Sequence, residues 1–386
     1  MRVLHIITGL GMGGAEQQLR LLLRHQPADC DVITLTNAGT VADGIVADGS
    51  ARVSDLGMSG NRDVAALPRL SRLIKGGRYD LVHTHLFRAC LYGRIAARTA
   101  GVRAVVATEH SLGDTQMEGR RLTAGVRGLY LTGERLGRMT VAVSPAVGQR
   151  LHRWGVPRQR IRVVPNGIDV DRFLFDPDAR ARTREHLDLP EHAFVVGGVG
   201  RLTRGKRFDV LLRAASQLPD DVVVLLVGAG DQEQELRRLA DRLALADRVR
   251  FVGEAEHEDG RAAGRAPDLP SLLAAMDALA SPSPEEAFGL ALVEGLANGL
   301  PVLYTSCPAI DGLPLDDLRP GEQANASHCP SDPDAFAQVL FRLRGRDLSH
   351  RTAAAAVRHY SITRSADQLM DVYASVVSGL TPKVSP

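Results

Sequence analysis

Apolar and polar positions along the chain follow two periods in alternation. Short apolar runs at residues 2–8, 31–36, 81–85, 104–108, 139–144 and 162–165 predict strands. Segments with a helical apolar repeat at 15–25 and 64–75 lie between them. Such alternation predicts an α/β fold of parallel strands joined by crossover helices. The pattern restarts after residue 190, with apolar runs at 193–199, 222–227 and 249–252 interleaved with segments at 208–217, 232–243, 272–275 and 290–298. Helical repeats at 335–343, 349–359 and 365–378 close the chain, and 382–386 reads as a frayed tail. Between the two series, 169–190 is polar, proline-bearing and rich in Arg and Asp, which reads as a linker with a domain boundary near 178. Two open parallel sheets in tandem place their crevices outside the carboxyl ends of the strands, so the ligand site is expected in a cleft between the domains.

The 386 residues are 44% hydrophobic and 24% charged, a composition that fits two to three globular domains of about 150 residues. No apolar run approaches the roughly 20 residues of a membrane span. Only 3–7 stand between Arg2 and a glycine-rich turn, too little for a secretory signal, so a cytoplasmic protein is expected. Cys30, Cys90, Cys307 and Cys329 are far apart and read as packing thiols. Arginine outnumbers lysine 44 to 3, the imprint of a GC-rich, bacterial coding bias, which singles out Lys206 among its arginine neighbours. The net charge is +2, but residues 1–178 carry 24 basic and 16 acidic side chains (+8), and the rest 23 and 29 (−6). A basic first half favours a ligand bearing phosphate or carboxylate, or weak attraction to an anionic membrane surface. Nucleic acid is not an expected partner.

Four loops carry the candidate chemistry. Gly9, Gly11 and Gly14 form GxGxxG between a strand and a helix, where free N–H groups can hold an anion; the alternative is a close turn with no ligand. The strand that follows ends in Thr36 and Asn37 instead of an acidic residue, which argues against a nicotinamide dinucleotide. Arg201 and Lys206, at the end of a later strand, can converge on a diphosphate, against the alternative of a solvated basic loop. Gly228 and Gly230 permit close backbone approach. Glu286 lies in the loop and Glu294 in the helix that follow Ser281-Pro282-Ser283-Pro284, and Phe288, Gly289 and Leu290 offer N–H groups at the helix start.

Taken in order, Gly13-Gly14-Ala15-Glu16, His83-Thr84-His85, Val164-Pro165-Asn166-Gly167, Gly200-Arg201-Leu202 with Lys206, Val227-Gly228-Ala229-Gly230, and Glu286-x7-Glu294 followed by Gly299-Leu300-Pro301-Val302 resemble a retaining glycosyltransferase of family 4. The resemblance spans about residues 1–305. It implies the GT-B architecture, with an acceptor-binding domain at 1–178 and a nucleotide-sugar-binding domain at 179–386 whose last helices can pack back on the first. It implies a nucleoside-diphosphate sugar donor, a UDP-sugar before a GDP-sugar, a hydroxyl acceptor on a glycan, a lipid-linked glycan or a small natural product, and no cofactor or metal. Arg201 and Lys206 would hold the diphosphate, Glu286 the sugar and Glu294 the ribose. Gly14, Gly228, Phe288, Gly289 and Leu290 would line the donor, His110 would stand beside its sugar, and His83 and His85 would lie on the acceptor side.

The chain departs from the family where Ala287 replaces a glycine, where 256–267 is inserted beside the expected base pocket, and where Cys307 to Gly312 replaces a Gly-Gly turn. Residues 120–138, with five arginines and Leu122, Val126, Leu129, Leu136 and Met139, predict a helix packed on the first sheet, or alternatively on a membrane surface. Trp154 reads as packing. Rival functions are a sugar-nucleotide epimerase on the same fold and an inactive nucleotide-sugar-binding protein.

Overall fold

In the computed structural model, residues 1–60, 63–114, 116–118, 120–255, 267–313, 325–346 and 351–379 are described. They form two units: Met1–Gly167 with the segment from Tyr360, and Ile168–His359. The chain thus changes unit ahead of the boundary expected near 178 and returns to the first at Tyr360.

The first unit begins β1 (Arg2–Gly9), α1 (Gly14–His25), β2 (Asp29–Asn37), α2 (Gly39–Ala47), β3 (Arg52–Asp55) and α3 (Ala66–Gly77). It continues through β4 (Leu81–His85), α4 (Phe87–Thr99), β5 (Val105–Glu109), a small antiparallel pair β6 (Gln116–Met117) and β7 (Arg120–Arg121), and α5 (Ala124–Glu134). Then come β8 (Met139–Ala142), α6 (Pro145–Trp154) and β9 (Ile161–Val163). Seven strands form a parallel sheet in the order β3-β2-β1-β4-β5-β8-β9.

Successive residues of β1 point to opposite faces. Leu4 and Ile6 join a core with Leu70 and Ile74 of α3, while Val3 and Ile7 join a core with Leu19 and Leu23 of α1. The second core is completed by the chain's last described helix, in which Ile362, Ala366, Leu369, Tyr373 and Val376 recur at intervals of three and four, a single apolar stripe. Each such aliphatic side chain, when fully buried, contributes about 1.5–3 kcal/mol.

The second unit runs α7 (Pro177–His186), β10 (Phe194–Val199), α8 (Phe208–Ala215), β11 (Val222–Val227), α9 (Glu233–Arg242), β12 (Val249–Gly253) and α10 (Leu269–Ala275). It ends with β13 (Ala278–Ser281), α11 (Leu290–Ala297), β14 (Val302–Tyr304), α12 (Pro308–Asp311), β15 (Ala326–His328) and α13 (Pro333–Leu343), before α14 (Ile362–Ser378) closes the first unit. Its parallel sheet has the order β12-β11-β10-β13-β14-β15. Both units are therefore Rossmann-like.

Three expectations change. The supposed linker contains α7, which starts with Pro177 and is capped by the Asp176 carboxylate accepting from the Asp178 and Ala179 N–H groups at 2.9 and 3.1 Å. Its inner face is charged: Arg180 and Arg184 donate to the two oxygens of buried Asp277 at 2.7 and 2.6 Å. The helix expected over 120–138 is only α5, which buries Tyr130, Gly133 and Glu134 and leaves Leu129 exposed. The one expected over 349–359 is a single 3-10 stretch at Ala355–Tyr360, and 347–350 lie outside the described residues. Residues 256–266 of the insertion and 382–386 of the tail also lie outside them. The four cysteines are buried free thiols, and Trp154 packs edge-on against Tyr130 at 5.6 Å.

Candidate active site

An open parallel sheet has its crevice where the strand order reverses. In the second unit that point lies between β10 and β13. The loop after β10 carries Arg201 and Lys206, and the loop after β13 carries Glu286. The topology thus brings together residues 80 apart: Lys206 Nζ donates to Glu286 Oε1 at 2.6 Å. The pair is 29% and 13% exposed, dry enough for its charges to act more strongly than a surface pair. Arg201, on the same loop, is exposed.

The backbone around the pair demands glycine. Gly228, after β11, has φ +134°, and a Cβ there would lie 2.1 Å from the Gly200 carbonyl oxygen. The two loops are tied by Gly200 N–H to Val227 O and Leu202 N–H to Ala229 O, both 2.9 Å. Gly289, with φ +100°, precedes α11, and a Cβ there would meet Cys307 Sγ. The Phe288 ring is buried in the core, and its carbonyl accepts from the Ala309 N–H at 3.0 Å. Phe288 and Gly289 therefore aim the α11 start, with Leu290 its first residue.

Glu294 stands one turn into α11 and is partly exposed. Burial pushes its carboxyl up to about 7, against the opposing pull of the Arg172 charge. A carboxyl poised near neutrality at this point can accept hydrogen bonds from a vicinal diol once ionised.

In the first unit, Gly14 is the exposed first residue of α1, after an extended Gly13. The sheet order reverses between β1 and β4, and pairing sets His5 opposite His83 and Ile7 opposite His85. On the next strand Thr108 lies opposite His85, with His110 two residues beyond. His5, His83, His85 and His110 therefore share one face. His83 and His85, expected on the acceptor side, are fully buried, and both nitrogens of each are engaged. His83 meets Tyr373 Oη at 2.5 Å and Thr108 Oγ1 at 2.7 Å. His85 meets His5 at 3.0 Å and His110 at 3.1 Å. Only His110 of the four is partly exposed, so what the others offer a ligand passes through it. His5 went unremarked in the sequence because its signal is its register opposite His83.

The nitrogens of His5, His83 and His85 lie within 4.8 Å of one another, a grouping that could interest a transition metal. The fit is poor. An ion would displace the hydrogen bonds of His83 and His85 and carry its charge into a core whose trio includes no carboxylate.

A cavity of about 440 Å³ opens at the strand-start edge of the first sheet, lined by Arg98, Arg103, Arg135, Arg138 and Arg160. Arg160 is ion-paired to Glu134 at 3.0 Å.

Known proteins resemble the chain in sequence and in fold. The Glycosyltransferase Family 4 pattern matches residues 12–172, and that of Glycosyl transferases group 1 matches 193–345. The chain is 31% identical to the D-inositol 3-phosphate glycosyltransferase of Salinispora tropica, over 81% of this chain and 67% of that protein. It is also 31% identical to that of Mycobacteroides abscessus, over 81% and 70%. Among solved structures, Anabaena Alr3699/HepE in complex with UDP and glucose superposes with a TM-score of 0.80 at 21% identity, covering 97% of this chain and 100% of that one. WaaG, a glycosyltransferase involved in lipopolysaccharide biosynthesis, gives 0.70 at 18%, covering 98% and 100%. The architecture is that of the GT-B fold, and the chain belongs to the group 1 glycosyltransferases of family 4.

Proposed function

We propose that this glycosyltransferase moves a sugar from a UDP-sugar to a hydroxyl of a phosphorylated polyol, with retention and without a metal. The observation that carries the reading is the Lys206–Glu286 pair at the switch point of the second sheet. Arg201 and Lys206 would neutralise the diphosphate as the bond from sugar C1 to the phosphate oxygen stretches, an interaction that strengthens toward the transition state. Glu286, which Lys206 anchors, would orient the sugar, and Glu294 would hold the ribose hydroxyls. Gly14, Gly228 and the backbone of Phe288 to Leu290 would line the donor, with His110 beside its sugar. The acceptor oxygen bonds to C1 on the face the phosphate leaves, and its proton passes to the departing phosphate oxygen.

UDP as nucleotide is supported by its presence in the Anabaena structure. The acceptor class is supported by the relatives named for D-inositol 3-phosphate and by charge. The first unit has 25 basic and 14 acidic residues, a net +11, and the second 22 and 31, a net −9. An anionic acceptor is drawn to the former.

The test has two arms. UDP, GDP, ADP and TDP are compared by thermal shift, where a ligand at 100 times its dissociation constant adds about 2.7 kcal/mol. Transfer from UDP-glucose and other UDP-sugars to D-inositol 3-phosphate is then measured in excess EDTA. Lys206→Ala should lower kcat by on the order of 10² to 10³. Full loss of wild-type transfer in EDTA, restored by Mg²⁺ or Mn²⁺, would refute the metal-free mechanism.

A further inference from the structure

Most ion-paired arginines of the first unit stand two to a carboxylate. Arg2 and Arg52 bracket Asp31, Arg20 and Arg24 bracket Asp48, and Arg150 and Arg153 bracket Asp114. The cavity at the strand-start edge breaks this pattern. Its arginines come from four places in the chain: Arg98 in the last turn of α4, Arg103 ahead of β5, Arg135 and Arg138 between α5 and β8, and Arg160 ahead of β9. Among the described residues no acidic side chain lines it, and Glu134, the carboxylate nearby, pairs with Arg160 alone. The guanidiniums of Arg98, Arg103, Arg135 and Arg138 are exposed and make no hydrogen bond or salt bridge among the described residues.

A coding bias toward arginine scatters such side chains over a surface, and helix ends attract them. Neither accounts for five here. The carboxyl ends of α4, α5 and α14 border this cavity, and Arg160 caps α5 by donating to the Glu134 and Gly137 carbonyls, both at 2.6 Å. Each helix end carries about half a negative charge, so even with Glu134 ionised the five guanidiniums keep a surplus of roughly two to three positive charges. The cavity, about 440 Å³, has the size of a small-ligand site. Guanidinium forks match phosphate oxygens, and forks from several chain segments suit the tetrahedral oxygens of more than one phosphate better than the single plane of a carboxylate. This is a different place from the site of transfer. Arg103 and His110 stand at opposite ends of β5, roughly 20 Å apart at the rise of a parallel strand.

We propose that this cavity is a separate anion site, in which Arg98, Arg103, Arg135 and Arg138 hold a ligand that presents two or more phosphate groups together. The site stands on the first unit alone and is independent of the donor assignment.

Tripolyphosphate is the probe, titrated calorimetrically into the full chain at about 0.15 M salt, where the screening length is about 8 Å. Arg135→Gln with Arg138→Gln should weaken its binding about tenfold or more. Lys206→Ala, which removes a cation of the second unit, should retain it. Met139 lines the cavity, so in a sample labelled at the methionine methyls its resonance should move during the titration. No binding, equal binding by the double variant, or an unmoved Met139 signal would overturn the proposal, and equally tight binding of citrate would overturn the phosphate class. Without ligand the double variant should unfold at the wild-type urea concentration or above, because like charges without partners have been removed. A lower midpoint with unchanged binding would assign both arginines to the end of α5 and overturn the site. Flotation with vesicles of phosphatidylcholine and cardiolipin at the same salt separates the sources of the phosphates. Flotation lost in the double variant and blocked by tripolyphosphate assigns the cavity to a lipid headgroup, and binding of tripolyphosphate without flotation assigns it to a soluble phosphate ester.

Discussion

Replacing Glu294 by Gln should move nucleotide affinity and fold stability in opposite directions. Burial holds the Glu294 carboxyl at about 7, raised from 4.5. A raised folded-state value means that the protonated form is favoured in the fold. That stabilisation is complete below about pH 4.5 and is lost as pH rises through 7. Ionising the group in place costs about 3 kcal/mol, which the side chain's partial exposure reduces to between about 1 and 3 kcal/mol. Glu294→Gln removes that cost, so the variant should be the more stable protein at pH 8, by a margin that shrinks toward pH 5. UDP binding should behave the other way. If the ribose hydroxyls donate to the ionised carboxylate, wild-type affinity rises about tenfold from pH 6 to 8, or about 1.4 kcal/mol. The variant should bind more weakly and lack this component. Calorimetric titration with UDP at pH 6, 7 and 8, beside urea unfolding at the same values, reads both effects, and the variant's own slope corrects for titration of the nucleotide phosphate. Equal pH slopes in the two proteins would refute the ribose assignment; equal stabilities at pH 8 would refute the buried charge.

Other consequences can be checked separately. Asp277→Ala takes the carboxylate from Arg180 and Arg184, which keep only backbone carbonyl partners, and strands the Val195 N–H that it accepts at 2.7 Å, and should cost about 3–5 kcal/mol in urea unfolding. A loss below 1 kcal/mol would mean that α7 is not anchored there. Gly228→Ala should abolish stabilisation by UDP, because its Cβ collides with the Gly200 carbonyl; an unchanged thermal shift would show that this loop does not shape the donor site. The arginine cavity should draw the chain to vesicles containing anionic lipid at low salt, and Arg135→Glu with Arg138→Glu should reduce flotation. Flotation that is insensitive to salt and to both changes would exclude an electrostatic contact.

Strand 222–227 was legible to the residue because a parallel strand covered on both faces is a continuous apolar run. The edge strand β3, Arg-Val-Ser-Asp, carries no such run. α7 was illegible for a related reason: beside buried Ala179 and Thr183 its inner side carries Arg180 and Arg184, paired to Asp277, which in sequence look like solvent-facing charge. At the site, spacing marked Lys206 and Glu286 each on its own loop. Their contact follows from the strand-order reversal, which no local pattern encodes. His5 needed its partner across the sheet before it meant anything.

The return of the chain to its first unit bears on how the protein is made. Translation delivers residues 1–167 first, but the helix that covers Val3, Ile7 and Val106 and sets Tyr373 against His83 is encoded after the whole of Ile168–His359. At about 5–20 residues per second, that interval lasts roughly 10–40 s. Throughout it the nascent first unit shows an uncovered apolar face to chaperones and to neighbouring chains, while the second unit has all its strands from one continuous stretch and can fold at once. Biogenesis should therefore finish at the amino-terminal end of the protein, and a chain cut before Ile362 should leave the ribosome with a sound second unit and an aggregating first one.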